Sequence, residues 1–360
     1  MTIVRPEIAR LSAYHVPDAT GLIKLDAMEN PYGWPDDLRD AWLETLRHVS
    51  LNRYPDPQGR ELQQALREGM AIPPEAAILL GNGSDELIQM LALTVTAPEP
   101  GHPTTVLSVD PGFVMYRMIG LFAGLDYVGV PLKSDDFGLD LDAILAAIDA
   151  HRPALTFIAY PNNPTGNLFG TAAIEAVIEA APGLVIVDEA YAPFTDESFL
   201  PKLGRWSNLL VMRTVSKMGL AGLRLGYLAG PPEIVEQIDK TRLPYNINVL
   251  TQASATFALR HRAVLDEQTA AICRERERMF AALTALDGLT PYPSQANFIL
   301  ARTNPGQAGR VYDALRDHGI LIKKLDGAHP LLADCLRITV GTPEENDALL
   351  AALGDIVNPG

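Results

Sequence analysis

Cysteine is nearly absent from this chain. Only Cys273 and Cys335 occur in 360 residues, too few for a disulfide framework, so a reducing compartment, the cytoplasm, is expected. Lysine is scarce as well: there are seven, so one in an unusual setting stands out. Positive charge is outnumbered, with 29 Lys plus Arg against 44 Asp plus Glu and a net charge of −15. That balance argues against a nucleic-acid backbone or an anionic membrane as partner, but not against a small anionic substrate met by local cations. No apolar run reaches the ~18 residues of a membrane span. The segment 1–14 has no apolar stretch of signal-peptide type, so none is expected. The seven histidines show no paired ligand spacing, and no metal site is expected. Internal repeats and low-complexity segments are lacking too.

What is present is a well-buried globular chain, 48% hydrophobic with mean hydropathy +0.07. Its length suits one large domain and a smaller one. Residues 1–35 read as an irregular arm. From Ile78 to about Ala229, short apolar runs alternate with amphipathic segments. Runs are expected as strands near 78–80, 104–109, 127–131, 154–159, 184–187, 209–212 and 225–229, with helices at 84–97, 113–123, 141–150 and 171–181. This alternation implies an α/β fold with a mostly parallel sheet covered on both faces. After Pro244 the texture changes. A long helical stretch covers 249–286, and its Arg274–Arg278 charge run reads as a solvated face. Strand, helix, strand, strand and helix follow, as in a smaller α/β domain. The expected division is 1–35, 36–248 and 249–360.

Lys217 is the first residue of chemical interest. It follows the apolar run Leu209–Met212 in Thr214-Val215-Ser216-Lys217, with Arg224 seven residues on. A lysine at the end of a buried strand is desolvated; its pKa falls, and the neutral amine can attack a carbonyl. An arginine close behind can hold a phosphate, and the pair suggests pyridoxal phosphate bound as a Schiff base. Three further segments lie between strand and helix. Gly81-Asn82-Gly83-Ser84-Asp85-Glu86 is either an ordinary glycine turn with Ser84 as helix cap or a phosphate cradle. Tyr160-Pro161-Asn162-Asn163-Pro164-Thr165-Gly166 is a β-turn at the carboxyl end of a strand, where ligands sit in open α/β sheets. Val185-Ile186-Val187-Asp188-Glu189-Ala190-Tyr191 ends a buried strand with a carboxylate, suited to a protonated pyridine nitrogen or to a metal. No phosphate-loop lysine motif accompanies the metal reading.

Taken in this order, these motifs make the chain resemble the fold-type I pyridoxal-phosphate aminotransferases of the aspartate aminotransferase superfamily. Among them it is similar to the histidinol-phosphate aminotransferase family. The finer cues are Leu25-Asp26-Ala27-Met28-Glu29-Asn30-Pro31-Tyr32-Gly33, Asn52-Arg53-Tyr54-Pro55-Asp56-Pro57, Ala221-Gly222-Leu223-Arg224 and Leu336-Arg337-Ile338-Thr339-Val340-Gly341-Thr342. The resemblance spans Tyr14 to about Leu350.

The resemblance implies a role for each matching residue. Lys217 would carry the Schiff base and shuttle the proton. Asp188 would hold the pyridine nitrogen, Asn163 and Tyr191 the ring oxygen, and Phe113 would stack on the ring. Ser84, Asp85, Thr214, Ser216 and Arg224 would surround the phosphate. Tyr54 would reach the cofactor of a partner subunit, implying a homodimer with shared sites. Arg337 would pair with the substrate anion, with Lys323, Asn163 and Tyr14 nearby. Three positions depart from the family pattern. Tyr160 stands where Asn or Ser is usual, Met28 where Asn is frequent, and Lys323 where arginine commonly meets substrate phosphate. A lysine keeps that charge and loses the bidentate fork.

The activity implied is transamination of L-histidinol phosphate with 2-oxoglutarate, giving imidazole acetol phosphate and L-glutamate in histidine biosynthesis. An aromatic amino-acid aminotransferase and a threonine-phosphate decarboxylase of the same superfamily are the alternatives. A cofactor-binding regulatory protein without turnover is a third, and the intact Lys217, Asp188 and Arg337 argue against it.

Overall fold

The computed structural model describes residues 3–11, 13 and 16–357. The strands among them are β1 (Ile23–Leu25), β2 (Ala77–Asn82), β3 (Thr105–Asp110), β4 (Asp126–Pro131), β5 (Leu155–Ala159), β6 (Leu184–Asp188), β7 (Leu209–Thr214), β8 (Leu225–Gly230), β9 (Leu289–Pro291), β10 (Phe298–Thr303), β11 (Ile320–Lys324) and β12 (Cys335–Thr339). Seven form one sheet in the order β2-β8-β7-β6-β5-β3-β4. Its pairings are parallel except around β8, which runs antiparallel to both β2 and β7. Five form a second sheet, β1-β11-β12-β10-β9.

The side-chain period of two explains the apolar runs. In β7, Leu209 and Val211 join the core on one face of the large sheet, while Leu210 and Met212 join the core on the other. Both faces are buried under helices, so the four positions Leu209 to Met212 are all apolar, as in a buried parallel sheet, and polar residues appear only at the strand's end, Arg213 and Thr214. The second sheet has its own core, in which Phe298, Ile299, Ile322, Ile338 and Leu353 are buried. This is the mixed α/β architecture expected, with a large, mostly parallel sheet and a smaller C-terminal one.

The structure differs from the sequence reading in several places. The stretch 249–286 is two helices, Val249–Arg260 and Ala263–Thr284. Arg276, within the charge run, turns inward: it is buried, and its Nη1 donates to the carbonyls of Phe194 and Ala296. The arm contributes a strand, β1, which pairs in parallel with β11. No described helix is long and apolar enough to cross a membrane.

Candidate active site

The carboxyl ends of β3, β5, β6 and β7 open onto one side of the large sheet. The chain leaves β3 and β5 in opposite directions along the sheet order, and crevices for ligands form at such switch points. A cavity of about 130 Å³ lies there, lined by residues from each of these strand ends and by Met28.

Asp188, the last residue of β6, is buried at its floor. Tyr116 donates its hydroxyl to Asp188 Oδ2 at 2.6 Å, and the Ala190 amide donates to Oδ1 at 3.1 Å. Burial drives the Asp188 pKa up to about 6, against the pull of these two donors; Asp85 and Glu189 add a smaller push in the same direction. Such a carboxylate is short of a cation. Tyr116 is fixed in turn by stacking on Phe157, with ring centroids 4.6 Å apart, and by the edge contact of Phe113. Sequence reasoning missed Tyr116; the available signal was its place three residues after Phe113, on the same face of the helix Val114–Ala123.

Lys217 follows β7 in a short helical turn, Ser216–Leu220. Its Nζ donates to the Ala27 carbonyl at 3.3 Å and lies 5.8 Å from the centroid of the Tyr191 ring. Burial first, and then the positive charges of Arg337 and Arg224, lower its pKa to about 8, with Glu29 and Asp85 opposing. Tyr191 is buried, and desolvation holds its phenol protonated far above the usual range. Its hydroxyl donates to Met28 Sδ at 3.4 Å.

At the other end of the cavity lie Ser84, Asp85, Thr214, Ser216 and Arg224. Gly83, with φ +78°, is the N-cap of the helix Ser84–Thr94, and Ser84 makes no capping hydrogen bond. That corrects the expectation of Ser84 as the cap: the turn needs a left-handed backbone, which glycine supplies. A Cβ on Gly83 would come within 2.6 Å of Arg224 Nη2, so glycine lets the guanidinium lie against the turn. Arg224 itself has φ +49° and pairs with Asp85 Oδ2 at 3.3 Å. The Thr214 hydroxyl lies 2.8 Å from Ser216 Oγ and 3.0 Å from the Leu225 carbonyl.

A second cavity, about 340 Å³, adjoins the first. Met28, Phe113 and Asn163 line both, and Lys323 and Arg337 line the second. Arg337, buried in β12, donates from Nη1 to Asn163 Oδ1 at 2.6 Å and from Nη2 to the Asp26 carbonyl at 3.0 Å. Lys323 faces it across the β11–β12 pairing, while Lys324 is exposed, its Nζ 5.5 Å from the centroid of the Tyr312 ring.

The structure thus brings together Ser84, Asp85, Phe113, Asn163, Asp188, Tyr191, Thr214, Ser216, Lys217 and Arg224 around one cavity, with Lys323 and Arg337 beside it. It does not bring Tyr54 to this chain's own site. That ring is 80% exposed and stacks on Tyr245, with centroids 4.4 Å apart. Tyr14 lies outside the described residues.

Comparison with known proteins agrees with this geometry. A histidinol-phosphate aminotransferase of Nitrosococcus oceani is 57% identical over 350 residues, covering 97% of this chain and 96% of that protein. One from Cupriavidus pinatubonensis is 54% identical, with coverages of 97% and 95%. Among solved structures, histidinol-phosphate aminotransferase from Sinorhizobium meliloti in complex with pyridoxal-5'-phosphate superposes with a TM-score of 0.87 at 28% identity, covering 99% of this chain and 98% of that one. The corresponding enzyme from Clostridium acetobutylicum gives 0.85 at 25% identity, with coverages of 94% and 100%. The family model for aminotransferase class I and II matches residues 20–353, and with the strand-end lysine, the buried aspartate and the arginine beside them already in place, the chain belongs to that family.

Proposed function

We propose that this chain is a pyridoxal-phosphate-dependent aminotransferase that transfers the amino group of L-histidinol phosphate to 2-oxoglutarate, yielding imidazole acetol phosphate and L-glutamate in histidine biosynthesis. The observation that carries this reading is the convergence of Lys217, Asp188 and the Asn163–Arg337 pair on adjoining cavities, in a chain over half identical to relatives that bear that name.

The residues suit the cofactor. The Gly83 turn and Arg224 form a cradle that a Cβ would fill, where a phosphate would be held by amides of the Ser84–Thr94 helix start and by the guanidinium. Thr214 and Ser216 add hydroxyls. Asp188, buried and with its pKa raised by desolvation, would hold a protonated ring nitrogen. Asn163, its oxygen turned to Arg337, and Tyr191 serve the ring oxygen, and Phe113 offers its face. When bound, pyridoxal phosphate supplies an electron sink for the pair left as the donor's Cα proton departs.

The chain's own groups do the rest. The Lys217 amine has a pKa of about 8, close to the range where a base works at neutral pH. It would take the proton from the donor's Cα and, in the return half-reaction, deliver a proton to the Cα of the former oxo-acid. Tyr116 and the Ala190 amide keep Asp188 oriented and ionised. Arg337 and Lys323 pair with the donor's phosphate in one half-reaction and with a carboxylate in the other; Tyr14 closes over the substrate. In the homodimer, Tyr54 reaches the partner subunit's site. The exposed Leu51, Tyr54, Leu243 and Tyr245 support that reading, since a second copy would cover them. We place the enzyme in the cytoplasm and its divisions at 1–35, 36–248 and 249–360.

The test is a set of half-reactions followed through the cofactor's absorbance with histidinol phosphate, L-phenylalanine and L-aspartate. Histidinol phosphate should react with the highest kcat/KM, and 2-oxoglutarate should restore the starting spectrum. Release of carbon dioxide from a phosphorylated amino acid without need of an oxo-acid, or a preference for phenylalanine, would overturn the reading.

A further inference from the structure

Three consecutive residues of the arm, Asp26, Ala27 and Met28, reach three different groups of the site. The Asp26 carbonyl accepts from Arg337, the Ala27 carbonyl accepts from Lys217, and the thioether of Met28 accepts from the Tyr191 hydroxyl. Met28 is held in a left-handed backbone conformation, φ +54°. A long apolar side chain is unfavourable there; glycine, asparagine or aspartate tolerate the region better.

The strained turn is fixed by backbone bonds that any side chain would keep. The Met28 amide donates to Thr339 Oγ1 at 3.0 Å, and Asn297 Nδ2 donates to the Met28 carbonyl at 2.9 Å. Neither bond needs methionine. What the side chain adds is its position: it stands in the wall shared by the two cavities and lines both. Phe113 shares that position, and the larger cavity adds the apolar groups Val114, Leu325 and Leu332. A thioether is a weak acceptor and packs favourably against aromatic edges. An outlier kept where a better-suited residue exists points to use at the site.

We propose that Met28 is a specificity-determining residue: its thioether forms the surface against which the donor's side chain packs, favouring a planar heteroaromatic group over a carboxylate-bearing one. The proposal rests on the aminotransferase reading and refines its donor class.

The experiment uses full-length holoenzyme of wild type, Met28→Asn and Met28→Leu. Half-reaction kcat/KM is measured with histidinol phosphate and with L-glutamate, alongside thermal melting and the Kd for pyridoxal phosphate from fluorescence titration. Asparagine suits the left-handed turn, so Met28→Asn should melt at or above the wild-type temperature and bind the cofactor normally. Its preference for histidinol phosphate over glutamate should nonetheless fall about 10-fold or more, the scale on which an apolar pocket discriminates. Met28→Leu keeps an apolar wall and should hold the preference within about threefold. An unchanged preference in Met28→Asn overturns the proposal, as does an equal loss for both donors accompanied by a lower melting temperature, which would mark a purely structural role. If wild type fails to use histidinol phosphate, the functional reading falls by itself. The preference is then measured with L-phenylalanine against L-glutamate, by the same criteria.

Discussion

Tyr116 donates a 2.6 Å hydrogen bond to Asp188, from the helical turn that begins beside Phe113. The bond opposes burial. Desolvation raises the Asp188 pKa to about 6, and the phenol, together with the Ala190 amide, keeps it from rising further. Tyr116→Phe removes the donor while preserving the ring's stacking on Phe157.

Loss of a hydrogen bond to a charged group costs about 1.5–3 kcal/mol, or roughly 10- to 150-fold in kcat/KM. The sign of the pH dependence follows. In the cofactor-free chain, losing Tyr116 raises the pKa of Asp188, so more of it is protonated near pH 6, and the affinity for pyridoxal phosphate should fall more there than near pH 8. The Kd for pyridoxal phosphate across that range is the measurement. A loss of equal size at both ends would show that Tyr116 acts on something other than the ionisation of Asp188.

Lys217→Ala should retain pyridoxal phosphate noncovalently and lose turnover by roughly 10³-fold or more, because both the general base and the covalent anchor are gone. The cofactor-free chain provides a second, independent readout. The pKa of Lys217 is lowered from 10.5 to about 8, so its stability contribution is present above pH 10.5 and is lost as pH falls toward 8. Cofactor-free Lys217→Met should therefore melt above cofactor-free wild type at neutral pH, and the difference should shrink as pH climbs through that window. Wild-type turnover by the Ala variant would remove Lys217 from the chemistry; a pH-independent melting difference would dispute its burial as a charged amine.

Shared sites can be tested by mixing. Neither Lys217→Ala nor Tyr54→Ala homodimers contain an intact site if Tyr54 serves its partner. Random exchange between the two should restore one intact site in half of the dimers, about a quarter of wild-type activity. The test requires Tyr54→Ala alone to be severely impaired. A chain that runs as a fully active monomer at assay concentration would defeat the dimer proposal.

The sequence made legible what is local and periodic. Buried strands such as β6 and β7 show as apolar runs because both sheet faces are covered, and each ends in a chemically distinctive residue, Asp188 or the Thr214–Lys217 turn. The three-residue strands β1 and β9 are too short for a period of two to register. The break between the helices at 249–260 and 263–284 carries no proline or glycine, so nothing in the pattern announced it. The burial of Arg276 depends on carbonyls 82 and 20 residues away. Tyr116 escaped notice for the same reason, and Met28 stood out only as a departure from the family pattern, its contact unforeseen: their partners Asp188 and Tyr191 lie 72 and 163 residues off. Spacing reveals a side chain's own element, whereas these two act through contacts that only the packed fold creates.

Register separates Lys323 from Lys324, which spacing alone does not. Directly opposed residues of an antiparallel pair point to the same face, and neighbours along a strand to opposite faces. Lys323 opposes Arg337, whose guanidinium reaches Asn163 in the site, so the two cations share a face. Lys324 opposes Leu336 and lies near the Tyr312 ring outside. Like charges set across a strand pair disfavour one another, and an anion near −2, such as a phosphate monoester, relieves that repulsion better than a single carboxylate. Lys323→Met should therefore lower kcat/KM for histidinol phosphate by roughly 10- to 150-fold, the equivalent of one charge-assisted contact of about 1.5–3 kcal/mol. The L-glutamate half-reaction should fall less, since Arg337 alone can match one carboxylate. Lys324→Met should stay within about twofold for both donors, as expected of an exposed surface change. Equal, near-wild-type kinetics in the two variants would remove Lys323 from the site and leave Arg337 to meet the substrate anion.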